Sequence, residues 1–146
     1  MTRSHPQRIF PPSRPGELLK QLFAAPRRHK SENDSEPDYL ALVRQCPCLK
    51  CGMEPSEPAH VRFASAAFGK ASGLGKKPAD RFSAPLCSDC HRLARDAQHN
   101  RNEQEFWASL GISILICCEQ LYAQRGDLVA MRAVIFVTIA ERSRKV

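Results

Sequence analysis

Two short cysteine pairs, Cys48-x-x-Cys51 and Cys87-x-x-Cys90, constrain this chain more than anything else in its sequence. A two-residue spacing lets both sulfurs of a pair face one point. Two such knuckles supply four thiolates for tetrahedral zinc, at metal–sulfur distances of about 2.3 Å. A shell of four sulfurs is closed, so the pattern predicts a structural Zn2+ site with no position open to substrate. It would tie the start of the ordered region to a later strand–helix junction and contribute to folding directly. Cys51-Gly52 suits a knuckle turn, because glycine accepts the positive φ that turns backbone amides toward a thiolate. Cys46 competes for the place of Cys48, although the spacing favours Cys48. Cys117 and Cys118 lie in an apolar helical segment and read as buried core thiols.

Seven cysteines cannot form a fully paired disulfide framework within one chain. The string Cys87-Ser88-Asp89-Cys90-His91 also carries the C-x-x-C-H signature of covalent haem attachment. The second cysteine pair argues against that reading, as does the lack of an apolar leader in residues 1–10. The longest apolar region, residues 128–140, is interrupted by Arg132 and is too short to span a bilayer. No membrane association is expected, and a reducing, cytoplasmic location is.

The 146 residues suit one domain with tails. Residues 1–37 read as a disordered, Pro-rich basic tail, residues 38–115 as the zinc-stapled domain, and residues 116–146 as a helical C-terminal extension that offers a surface to a protein partner. Within the domain, residues 58–63 read as extended, 69–78 as a Gly- and Lys-rich loop, and 82–86 as a second short strand running into a helix at Cys90-His91. From Glu103 the pattern is helical, with a stop at Gly111. Two more apolar segments follow, residues 112–122 and 128–139, the second capped by Asp127. The fold class is therefore small α+β. The net charge of +7 and a pI near 9.3 favour a polyanionic partner, nucleic acid first, although solubility alone would also account for them.

Of five histidines, His60, His91 and His99 lie close to the knuckles in sequence. The zinc staple should bring His60 and His91 together. An imidazole near neutrality can take a proton from water, while a separate divalent cation polarises a phosphate and stabilises the departing oxygen. His99 follows His91 by eight residues, about 12 Å of rise on one unbroken helix. The chain must therefore leave the helix between residues 93 and 97 if both are to hold one ion. Asp80, at the approach to the second strand, can orient His60, join the metal, or serve only the turn after Pro78-Ala79.

Several strings taken in order are similar to one known family. They are Pro58-Ala59-His60-Val61-Arg62, Gly73-Leu74-Gly75-Lys76-Lys77-Pro78-Ala79-Asp80-Arg81, Pro85-Leu86-Cys87-Ser88-Asp89-Cys90-His91-Arg92, Asp96-Ala97-Gln98-His99 and Asn102-Glu103-Gln104-Glu105-Phe106-Trp107. Over about residues 39–115 the chain resembles the HNH (His-Me finger, ββα-metal) endonucleases of phage and prophage type. That group includes the recombination enhancement function nuclease and related domains of unknown function. The resemblance implies a ββα-metal core that cuts DNA with Mg2+, Mn2+ or Zn2+. It implies His60 as general base, Asp80 near the position that steadies the base, and His91 as a ligand of the catalytic cation; His99 is a second candidate ligand on the residue reading above. The match departs at Ala59, where many members carry a metal ligand, and at Asp80, where the motif has Asn. Arg62, Lys76, Lys77, Arg81 and Arg92 flank the histidines as candidate phosphate contacts, which position DNA without reading its sequence. The alternatives are a non-catalytic zinc module that binds nucleic acid and a protein–protein adaptor on the same scaffold.

Overall fold

The structure is a computed structural model that describes residues 35–72, 75 and 77–144. The tail expected over residues 1–37 lies outside the described residues up to residue 34, and so does Lys76. What is described is a mixed α+β arrangement with one two-stranded sheet and four α-helices among the described residues.

Helix α1 (Pro37–Val43) begins with a proline, where a missing N–H costs no helical hydrogen bond, and carries Asp38 in its first turn, where the helix dipole favours an acid. It buries Tyr39, Leu40 and Val43 and runs through Arg44 into the first cysteine knuckle. Strands β1 (Glu57–His60) and β2 (Ser83–Leu86) pair antiparallel, with Glu57 opposite Leu86 and His60 opposite Ser83. The extended segment expected over residues 58–63 pairs as a strand only to His60. Beyond it the Val61 N–H donates to the Phe82 carbonyl (2.8 Å), and the chain turns away into a 3-10 turn at Ala66–Phe68. Two four-residue strands cannot stand alone in water. β2 is buried along its whole length and packs against α1 and α3.

After β2 the helix expected at Cys90-His91 is instead a single π-type turn, Asp89–Leu93, closed by the Ala94 N–H reaching the Asp89 carbonyl (2.9 Å). Ala94 and Ala97 are extended, with ψ of 152° and 158°. Asn100 explains why the helix stops. Its side-chain amide donates to the carbonyls of Arg92 (3.0 Å) and Ala94 (2.8 Å), which take their partner from outside any helix. A 3-10 turn, Gln98–Asn100, then carries His99 back along the site.

Helix α2 (Glu103–Ser109) is capped by the Asn102 side chain, which accepts from the Glu105 N–H (3.2 Å), and the chain leaves it through Gly111 at φ +66°. Helices α3 (Ile114–Ala123) and α4 (Leu128–Arg144) complete the chain. Asp127 caps α4 by accepting from the Ala130 N–H (3.0 Å). Phe106 and Trp107 are core residues. With Leu115, Cys118, Leu121, Met131 and Ile135 they cover the sheet residues Ala59, Ala84 and Leu86. The boundary expected between residues 115 and 116 falls inside α3, where Leu115 and Cys117 on either side are both buried. α4 also reaches the first knuckle: the Arg142 guanidinium donates to the carbonyls of Leu49 (3.2 Å) and Lys50 (2.9 Å), and Arg132 pairs with Glu54 (2.6 Å). No single described helix is long and apolar enough to cross a membrane.

Candidate functional site

Cys48, Cys51, Cys87 and Cys90 converge with all four sulfurs within 4.8 Å of one another. Cys51 Sγ and Cys87 Sγ are 3.6 Å apart, close to the edge of about 3.8 Å that a ZnS4 tetrahedron with 2.3 Å bonds requires. Local geometry turns amides toward the sulfurs. Gly52 takes φ +76°, and the Met53 N–H faces the Cys51 sulfur as the Cys90 N–H faces that of Cys87. Burial and the neighbouring sulfurs push the Cys90 thiol far above its ordinary pKa. Four sulfurs this close cannot shed their protons together without a cation between them. The donor set, the spacing and the amides fit a bound metal ion such as zinc. Cys46 is not part of the set: it is buried, and its thiol donates back along α1 to the Leu42 carbonyl (3.6 Å). Cys117 and Cys118 are buried in α3.

His60, at the end of β1, donates from Nε2 to Asp80 Oδ1 (2.8 Å). Asp80 has a fully buried side chain. It also accepts from Lys77 Nζ (2.7 Å) and from the Glu36 N–H at the start of α1 (2.8 Å). Burial alone would raise the Asp80 pKa. Lys77, His60 and the Glu36 amide outweigh it and hold the carboxyl below its ordinary value. An ionised Asp80 that accepts from Nε2 leaves the His60 Nδ1 lone pair free to accept a proton. A fifth of the His60 side chain is exposed, so water reaches the ring.

Glu57, at the other end of β1, is the site residue that the sequence did not single out. Its carboxylate accepts from His91 Nδ1 (2.7 Å), from Arg92 Nε (3.0 Å) and Nη2 (2.6 Å), and from Ser88 (3.2 Å). Arg92 and then His91 hold its pKa to about 2, against a smaller opposing effect of burial. With Nδ1 taken, Nε2 of His91 is the nitrogen left for a ligand. The extended residues Ala94 and Ala97 bring the His99 ring edge-on to that of His91, with centroids 4.5 Å apart. Burial first, then the neighbouring His91 ring and the Arg62 guanidinium, lower the His99 pKa, which favours the neutral imidazole.

Gln98 connects the histidine pair to β1. Its side-chain amide donates to the His60 carbonyl (3.4 Å) and to Glu103 Oε1 (2.7 Å), while Glu103 Oε2 accepts from the Arg62 N–H (3.0 Å). Residues 16–122 match DUF968, a family described as proteins of unknown function. The chain belongs to this family. No curated protein and no solved structure matches it.

Four of the described basic residues around the histidines each lie beside an acid. Arg92 forks onto Glu57, Lys77 pairs with Asp80, Arg62 lies 3.7 Å from Glu103 and Arg81 lies 3.4 Å from Glu119. Arg81 also stacks over Phe82 and Tyr122. Among the described residues, the cysteine cluster is the one group of three or more metal-capable side chains with mutually close ligand atoms. His91 and His99 supply two imidazoles beside it in sequence, and His60 with Asp80 forms a separate pair.

Proposed function

We propose that this DUF968 chain is a metal-dependent DNA endonuclease of the HNH type, in which His60 activates water and His91 with His99 holds the catalytic cation. The observation that carries this reading is the His60–Asp80 contact. A buried carboxylate fixes one ring nitrogen and leaves the other as a base, the arrangement general-base catalysis calls for. The Glu57–His91 bond supports it as well, because metal-binding histidines usually donate their second ring N–H to a carboxylate, which sets the tautomer and strengthens the ligand. Two imidazoles suit a transition metal, zinc first, better than magnesium.

In this reading His60 Nδ1 takes a proton from a water molecule. The resulting hydroxide forms a new bond to phosphorus, the bond from phosphorus to the bridging oxygen breaks, and that oxygen takes a proton from solvent. Asp80 keeps the ring oriented and stabilises the imidazolium that forms. A divalent cation at His91 and His99 would neutralise the phosphate and the departing oxygen. Ala59, where many HNH enzymes carry a further ligand, is fully buried and has no ligand atom to offer, so His99 would supply that share. The zinc of the cysteine cluster is structural in this reading, and the compartment is the reducing cytoplasm.

Plasmid nicking tests the proposal. With Mg2+, Mn2+ or Zn2+ added, the native chain should convert supercoiled to relaxed DNA. The variant His60→Ala should be slower by about a hundredfold or more while keeping a cooperative melting transition, at a lower temperature because the buried Asp80 loses one hydrogen-bond partner. Equal rates, or no nicking by either protein under any of the three ions, would remove the enzyme reading. Salt-sensitive DNA retention without cleavage would then favour a binding module.

A further inference from the structure

Lys70 is a buried lysine without an acid of its own. It is 5% exposed and is pinned from both directions. Its backbone exchanges two hydrogen bonds of 2.9 Å with Ser65. Its ammonium donates to the Phe63 carbonyl (2.6 Å) and sits 5.5 Å over the Phe82 ring. No carboxylate among the described residues lies within ion-pair distance of it. Glu103, in the vicinity, is already taken by Gln98 and the Arg62 amide. A long lysine stem normally carries an unpaired ammonium out to water, and holding it inside is costly unless something compensates the charge.

Lys70 lines a cavity of about 220 Å3 together with Arg62, Ser72, Lys77 and Phe82. Arg62 and Lys77 bring their own acids, Glu103 and Asp80. Among the described lining residues, Lys70 is the cation with no carboxylate within ion-pair distance. The volume equals that of about seven waters at roughly 30 Å3 each. That is room for a phosphate group with its hydration, but it is below the range of about 300 Å3 upward typical of pockets that enclose a drug-sized ligand. Lys77 faces both this cavity and Asp80, the residue that orients His60.

We propose that the cavity headed by Lys70, with Arg62 and Lys77 on its walls, is a binding site for a single phosphate group beside His60. The nucleic-acid source of that phosphate rests on the nuclease reading, whereas the anion site does not. The phosphate can arrive as a bridging diester within a strand or as a terminal monoester.

Inorganic phosphate titrated into the full zinc-loaded chain tests the site, followed by NMR shifts of residues 69–72 and by the rate of reductive methylation of Lys70. Phosphate should shift these signals and slow the methylation. In Lys70→Met, which keeps the stem, phosphate should bind about tenfold or more weakly, the scale of one charged hydrogen bond. Lys70→Arg should retain part of the affinity. Methylation is read on the native chain, so the test survives a variant that fails to fold. Short DNA with a 5′-phosphate binding more tightly than the same DNA with a 5′-hydroxyl, in a Lys70-dependent way, identifies the monoester. Equal Lys70-dependent binding of both identifies the diester. Phosphate that neither shifts residues 69–72 nor protects Lys70, or that binds Lys70→Met as well as the native chain, overturns the proposal. Phosphate binding without any nicking would sink the nuclease reading alone. Nicking without Lys70-dependent phosphate binding would sink this site alone.

Discussion

The variant Cys90→Ser should lose its cooperative thermal transition and its bound metal together. Cys90 belongs to both the four-sulfur cluster and the hydrophobic core, and the cluster joins segments that sit far apart in the chain. A structural zinc shell contributes an apparent ~10–16 kcal/mol in small zinc domains. Whole domains are stable by only about 5–15 kcal/mol, and a sheet of two four-residue strands adds little independent stability. Removing one sulfur should therefore remove the folded state and not merely lower its melting point. Fluorescence of Trp107, the single tryptophan, reports this directly, because it is 2% exposed in the fold and should shift to the red as it meets water. Cys117→Ser is the control: the thiol is buried but outside the cluster, and the variant should keep its zinc. A Cys90→Ser melting curve within a few degrees of native would contradict the staple.

Asp80→Ala should have the next largest effect, on stability and on nicking alike. The carboxylate is fully buried and accepts from His60, Lys77 and the Glu36 backbone. Deleting one partner of a buried charged network costs about 3–5 kcal/mol. Lys77 is half exposed and can turn to water, so the lower end of that range is expected in chemical denaturation. Under the proposed nuclease reading, nicking should fall as well, because the His60 ring loses the carboxylate that holds its Nε2. The acid dependence follows from the direction of the pKa shift. Asp80 ionises more readily folded than unfolded, so its contribution is complete above an unfolded pKa of about 3.9. It is lost as the pH falls from there through the lower folded value. The stability gap between native protein and Asp80→Asn should thus stay flat above about pH 5 and close below about pH 4. A gap that closes near neutral pH would show that another group carries it.

The cysteine cluster was legible because a CxxC pair is a local geometry, and two of them need only a chain path that returns. The sequence left Cys46 in competition with Cys48; burial of Cys46 against Leu42 resolves that competition. Asp80 was readable as a partner of His60, as a metal ligand or as a turn residue, and its carboxylate lies 2.8 Å from His60 Nε2. Glu57 was not legible. Its meeting with His91 depends on the β1–β2 register, Glu57 opposite Leu86, which no local pattern encodes. Arg142 was equally hidden, since its carbonyl partner Lys50 lies 92 positions away. The path from His91 to His99 could be stated only as a condition. Asn100, by taking the carbonyls of Arg92 and Ala94, is the residue that meets it. Charge counting cannot see that Arg92, Lys77, Arg62 and Arg81 each reach an acid distant in sequence or one turn away.

Central to the account is that an imidazole base and a hydrolytic cation share one corner of a sulfur-stapled fold. Paramagnetic broadening by Mn2+ tests this most directly, since the ion favours nitrogen and oxygen donors over a thiolate shell. With the imidazole protons of His60, His91 and His99 resolved by NMR in the zinc-loaded chain, substoichiometric Mn2+ should broaden His91 and His99 first and His60 next. The effect should vanish in the double variant His91→Ala/His99→Ala. Broadening that misses these rings, or that persists unchanged in the double variant, would contradict the account.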